Sequence, residues 1–183
     1  MRRSSDLTKA AILAAARERF GAVGFQGATI RAIAADAGVD PAMVMRYYGS
    51  KDKLFAAAAD FDLRFPDVAT MDPTQVGQTM VRHFLERWEG DEPLVILLRS
   101  SATNTEAAQR MHGIFGTQLE PLVASVVGRG ESAKRAGLIA SQILGMAWCR
   151  FVLKLPPVVD MTRDEIVEWL GPTIQRYLGL PDG

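Results

Sequence analysis

The chain has 183 residues, 48% of them apolar and 23% charged, with 21 basic and 21 acidic side chains. That is the balance of an ordinary folded soluble protein, long enough for one large domain or two small ones. One cysteine, Cys149, rules out an intrachain disulfide and fits a reducing compartment such as the cytoplasm.

Net charge is zero, but its distribution is uneven. Met1 to Arg64 holds ten Lys/Arg against seven Asp/Glu, a balance of +3, which leaves −3 for the remainder. A basic head on an acidic body suits a polyanion-binding module joined to something else. The N-terminal residues Met1 to Asp6 are polar and lead into no apolar run, so no signal peptide is expected. The most apolar stretch, Leu138 to Leu155, is interrupted by Ser141, Gln142, Gly145, Arg150 and Lys154. A membrane span would lack those groups, so a buried helix is expected.

Nearly every segment has helical period, and β-branched alternation never persists. The expected fold class is therefore all-α. A first helix is predicted over Thr8 to Ala22, with Ile12, Ala16 and Phe20 at i, i+4 and i+8 on one face. Gly21 and Gly24 end it, and Met1 to Asp6 is expected to fray. Thr29 caps a second helix running to about Ala37, with Ile33 and Ala37 inward and Arg31 and Asp36 in water. Gly38 stops it. Asp40 caps a third helix, Pro41 to Tyr48, with proline at the first position, where a missing N–H is harmless. Gly49 closes it, and Ser50 caps a fourth helix over residues 51–65, ended by Pro66.

Further helices are predicted over Pro73–Glu89, Glu92–Ser101, Thr105–Val127 (with a break near Gly116–Pro121), Glu131–Leu155 and Thr162–Leu178. The last begins with a Thr162-x-x-Glu165 capping box. The expected organisation is a head over residues 1–50 and a helical body over 51–183, linked by helix 51–65.

The second and third helices with Gly38 between them form a helix-turn-helix pattern. Val44 and Tyr48, at i and i+4, would pack inward against Ile33 and Phe20. The opposite face then presents Ala42, Met43, Met45, Arg46 and Tyr47 to a major groove. Thr29 and Arg31 begin the second helix, where free N–H groups favour an anion, and Lys51 begins the fourth, within reach of a phosphate.

The run Phe20-x3-Gly24-Phe25-x3-Thr29, then Ile33-Ala34-x2-Ala37-Gly38-Val39, then Tyr47-Tyr48-x-Ser50-Lys51-x2-Leu54-Phe55 resembles the N-terminal domain of the tetracycline-repressor (TetR) family. The motif covers about the first third of the chain. The resemblance implies a homodimeric transcription regulator, usually a repressor, with one domain on operator DNA and the other on a small effector. By position, the family's DNA-contacting sites fall on Thr29, Arg31, Pro41, Ala42, Met43, Met45, Tyr47 and Lys51. Two positions depart from the family habit. Met43 stands where a small or hydroxylated residue is common, and Met45 where an aromatic is usual. Methionine cannot make a bidentate hydrogen bond to a base edge, but it can lie against a thymine methyl. Apolar contact and DNA shape are therefore expected to carry much of the base preference.

The same resemblance implies that the last two helices, 131–155 and 162–178, pair with their copies in a four-helix bundle. Gly137, Ala140, Ser141 and Gly145 would allow close approach there, and an intrachain hairpin is the alternative. For a small hydrophobic effector, Met80, Phe84 and Trp88 fall at i, i+4 and i+8 on one helix. Met111, Phe115 and Trp148 could face them, although such stripes equally suit plain core.

No metal site or cofactor is expected, since His83, His112 and Cys149 lack ligand spacing. No enzyme is expected either: a Ser-His-Asp set, a Cys-His pair and a phosphate-cradling glycine loop are all missing from the pattern. The remaining alternative is a helical protein-interaction module without DNA affinity.

Overall fold

The computed structural model describes residues 2–58, 62–90 and 92–181. Among them the secondary structure is helical, with no strand, so the all-α expectation holds. Contacts divide the chain into two compact units, residues 1–61 with 92–111, and residues 62–91 with 112–183.

The first unit is built on α1 (Arg2–Gly27), α2 (Ile30–Asp36), α3 (Pro41–Tyr48) and α4 (Lys51–Ala58). α6 (Glu92–Ser101) packs on α1. Helix α1 starts two turns before its expected position, so the segment thought to fray is helical from Arg2 onward. Its path breaks at Gly24, where φ is 71°, a conformation that only glycine adopts at no steric cost. The core joins Ile12, Ala16 and Phe20 of α1 to Ile33 and Ala34 of α2, Val44 of α3, and Leu54 and Phe55 of α4. Phe20 and Phe55 meet edge to face, centroids 5.0 Å apart, and Phe25 meets Phe55 at 5.2 Å. Arg19 and Asp36 form a bidentate pair at 2.8 and 2.6 Å that ties α1 to α2.

The expected helix 51–65 is shorter. It is described as far as Ala58; residues 59–61 lie outside the described set, and the backbone from Asp62 is no longer helical. Long-range side chains take up the freed backbone groups. Leu63 N–H donates to Gln118 Oε1 at 2.7 Å, and its carbonyl accepts from His83 Nε2 at 2.6 Å. The Asp62 carbonyl accepts from Arg87 at 3.0 Å, and the Asp62 carboxylate from Arg64 N–H at 2.9 Å. The local turn leaves Arg64 at φ 49°.

The second unit holds α5 (Val76–Gly90), α8 (Glu120–Val127), α9 (Ser132–Ala147), α10 (Pro156–Asp160) and α11 (Arg163–Leu178). α7 (Thr105–Ile114) begins in the first unit and ends in the second. Helices α5 and α11 cross closely at two glycines. A Cβ on Gly77 would overlap the Gly171 carbonyl and stand 2.8 Å from the Gln175 nitrogen. The crossing buries Gln175, whose amide oxygen accepts from Gly77 N–H at 2.7 Å while its nitrogen donates to the carbonyls of Pro73 and Pro181, each at 2.6 Å. A buried amide is tolerated because its groups are partnered. The Thr162–Glu165 capping box opens α11 as expected.

Two π-helical turns, Phe115–Leu119 and Trp148–Val152, interrupt the expected long helices. The first lies at the break anticipated near Gly116–Pro121. The second, followed by Lys154 at φ 52° and the short α10, ends α9 earlier than Leu155. Arg150 caps this corner by donating to the carbonyls of Val158 and Met161 at 2.6 and 3.0 Å. No helix among the described residues is long and apolar enough to cross a membrane.

Candidate nucleic-acid interface

The local chemistry of residues 29–51 follows the caps. Thr29 Oγ1 accepts from Ala32 N–H at 3.1 Å and starts α2. Asp40 accepts from Ala42 N–H at 2.7 Å and starts α3, with Pro41 at its first position. Gly38 and Gly49 turn the chain at φ 65° and 80°. Ser50 Oγ accepts from Lys53 N–H at 3.1 Å and starts α4. Each short helix is thus fixed at its ends by its own sequence, so one face stays free.

That free face is where the DNA-contacting residues were expected. Val44 is fully buried, whereas Ala42 and Arg46 are exposed and Met45 is 44% exposed. Pro41, Met43 and Tyr47 are half-buried. Thr29 and Arg31 are exposed on α2, and Lys51 is half-buried on α4. The Lys51 ammonium lies 4.4 Å from the centroid of the Phe25 ring, so the aromatic cluster that fills the head also holds this cation in place. Ala37, expected inward, is only half-buried, and Ala34 takes the core position beside Ile33. Tyr48 is half-buried too; its hydroxyl donates to the Lys9 carbonyl at 3.0 Å.

One part of this surface had no signal in the pattern. Ser5 Oγ lies 3.4 Å from the Tyr47 hydroxyl, and the Lys9 ammonium lies 5.5 Å from the Tyr47 ring centroid. Arg46 stands 5.8 Å from the same ring. The early start of α1 brings Ser5 to α3, whereas Lys9 lies within the expected helix.

Electrostatics reinforce the frame. Arg19 holds the Asp36 carboxyl below the usual carboxylate range by hydrogen bonding first and charge second, and the Arg19 guanidinium is raised in return. Partial burial raises the Tyr48 phenol above its ordinary value.

The six residues singled out for an effector are less uniform. Met80, Phe84 and Trp88 are buried along one face of α5. Met111 is buried at the end of the first unit; Phe115 and Trp148 are half-buried and each begins a π turn. Trp88 is 3% exposed and stacks on Phe151 with rings 9° from parallel. Its Nε1–H is buried without a hydrogen-bond partner, and being in the ring plane it cannot aim at the Phe151 face. Two open cavities, of about 550 and 470 Å³, are lined by other residues. The first lies beside Gly116, Glu120 and Arg129, the second beside Gly145, Met146, Cys149 and Trp169. No cluster of three or more His, Cys, Asp or Glu suited to a metal occurs among the described residues.

Comparison with known proteins agrees with this geometry. Residues 12–58 match the profile of bacterial regulatory proteins of the tetR family, and residues 74–178 match the profile of the tetracyclin repressor-like C-terminal domain. The HTH-type transcriptional regulatory protein RaaS of Mycobacterium tuberculosis is 46% identical over 79 residues, 39% of this chain and 37% of that protein. The match therefore spans little more than a third of that relative's length. A TetR-family regulator from Streptomyces coelicolor superposes with a TM-score of 0.70 at 28% identity, over 95% of this chain and 96% of the other. NalD of Pseudomonas aeruginosa, the secondary repressor of the MexAB-OprM multidrug efflux pump, shares the fold at TM-score 0.70 and 22% identity, over 96% and 97% of the two chains. With one profile on the capped helices of the head and another on most of the body, the chain belongs to the TetR family of DNA-binding transcriptional regulators.

Proposed function

We propose that this chain acts in the cytoplasm as a homodimeric repressor that sits on pseudo-palindromic operator DNA and leaves it when a small apolar effector binds the body. The observation that carries the DNA half is the polarity of α3: Val44 is fully buried while Ala42, Met45 and Arg46 of the same eight residues face outward. Arg31 and Lys51 supply positive charge before and after it in the chain. In this reading Arg31, Arg46, Tyr47, Lys51 and Thr29 grip phosphates and fix register. Pro41, Ala42, Met43 and Met45 meet base edges and thymine methyls.

One eight-residue helix reads too few base pairs for useful specificity, so two heads related by a two-fold axis are needed. A seam through α9 and α11 supplies that axis in this reading. Leu138 is 48% and Trp169 73% exposed, and Gly137, Ser141 and Gly145 are exposed small residues on α9. A monomer would leave this apolar surface in water.

The effector half rests on the Met80–Phe84–Trp88 stripe and the unpartnered Trp88 donor. Effector release is then linkage: a ligand favouring the state that binds DNA poorly lowers operator affinity, and DNA lowers ligand affinity by the same factor.

The test is selection of bound sequences from a random duplex pool by the purified chain. A recovered motif with two inverted half-sites supports the reading. Failure to enrich any sequence, with protein partners captured instead, favours the protein-interaction alternative.

A further inference from the structure

We infer that Lys9, on α1, is an additional phosphate-binding residue of the DNA interface; the inference rests on the regulator reading above. Three observations place it there. Tyr48 on α3 donates its hydroxyl to the Lys9 carbonyl at 3.0 Å, which pins that turn of α1 to α3. Ser5, one turn earlier, reaches the Tyr47 hydroxyl at 3.4 Å. The Lys9 ammonium lies 5.5 Å from the Tyr47 ring centroid, and the Arg46 guanidinium 5.8 Å from the same centroid.

The other α1 cations with described side chains are already engaged. Arg17 Nε donates to the Ala58 carbonyl at 3.1 Å, and Arg19 is locked on Asp36. Lys9 is exposed and forms no ion pair among the described residues. The phenol ring restricts an otherwise flexible lysine, so less side-chain freedom is lost when a phosphate arrives. A lysine suits this role as a point charge rather than a base reader. The Tyr47 position therefore does two jobs: it contributes its own hydroxyl and it steers a cation from α1.

The test is fluorescence anisotropy with the duplex recovered by selection, across about 50 to 300 mM salt, where each neutralised phosphate contributes about 0.9 to the slope of log affinity against log salt. With one Lys9 in each of two heads, Lys9→Gln should make the slope shallower by about 1.8. Lys9→Arg should keep the wild-type slope, and Lys134→Gln on α9 should leave it unchanged. Thermal melting of Lys9→Gln should match wild type.

A Lys9→Gln protein with the wild-type slope overturns the inference while leaving the regulator reading intact. So does one whose affinity falls equally at every salt concentration with a lowered melting point, which would mark Lys9 as packing only. A wild-type chain that binds no duplex overturns both.

Discussion

The two units solve opposite problems. In the head, short helices are ended by neighbours in sequence: Thr29, Asp40, Gly49 and Ser50 cap or close α2, α3 and α4 within a span of about twenty residues. In the body, structure depends on residues far apart in the chain. Gly77 admits Gly171, Gln175 ties Pro73 to Pro181, and Gln118, His83 and Arg87 take up the backbone of residues 62 and 63. Local capping leaves α3 free to offer a face to a partner. Long-range fitting makes the packing of the body depend on close crossings such as that of Gly77 with Gly171.

That contrast can be broken first at the crossing. Gly77→Ala forces a methyl against the backbone of Gly171 and Gln175. It should cost about 1–3 kcal/mol, as overpacking of a fitted core does, and lower the melting temperature. Gly113→Ala, where a Cβ meets nothing within 4 Å, should instead gain about 0.5–1 kcal/mol. Equal effects from the two would mean that the α5–α11 contact is loose. Next, Trp169→Glu puts a charge in the proposed seam. Light scattering should then report a mass falling from twice 20.0 kDa to 20.0 kDa, and an unchanged dimer would move the seam elsewhere.

A smaller effect is expected from Thr29→Ala, which removes one cap and should cost the head about 1 kcal/mol. Replacing Met43 and Met45 with alanine should leave melting almost untouched yet flatten the preference among operator variants; a preserved ranking would show that base readout comes from elsewhere. The smallest effect concerns acid. Asp36 is held below the usual carboxylate range by Arg19, so its contribution is present above the ordinary carboxylate pKa of about 4 and is lost as pH falls through its lowered value. The melting difference between wild type and Asp36→Asn should accordingly shrink on acidification, and a difference that grows would contradict the assignment.

How much of this was legible in the sequence tracks the same divide. The bounds of α3, Pro41 to Tyr48, could be read from Asp40, Pro41 and Gly49 because each acts on its own neighbours. The capping box at Thr162 and the break near Gly116 were legible for the same reason. The end of α4 was not, because the partners of residues 62 and 63 lie between about 20 and 55 positions away in the chain. Nor was the early start of α1. Residues 2–6 carry no apolar period, and the contact of Ser5 with Tyr47, 42 positions away, is one that no local pattern encodes. Methionine and aromatic spacing marked the buried face of α5 but not the π turns at Phe115 and Trp148, since a π turn inserts one residue without changing composition.

In the proposed reading two copies of α3 offer their outer faces to one duplex. Titration of the selected operator with the wild-type chain at several salt concentrations tests it most directly. Two chains should bind each duplex, with affinity falling about a thousandfold between about 50 and 200 mM salt, as expected for six or more phosphate contacts. One chain per duplex, or no binding even at the lowest salt, would contradict it.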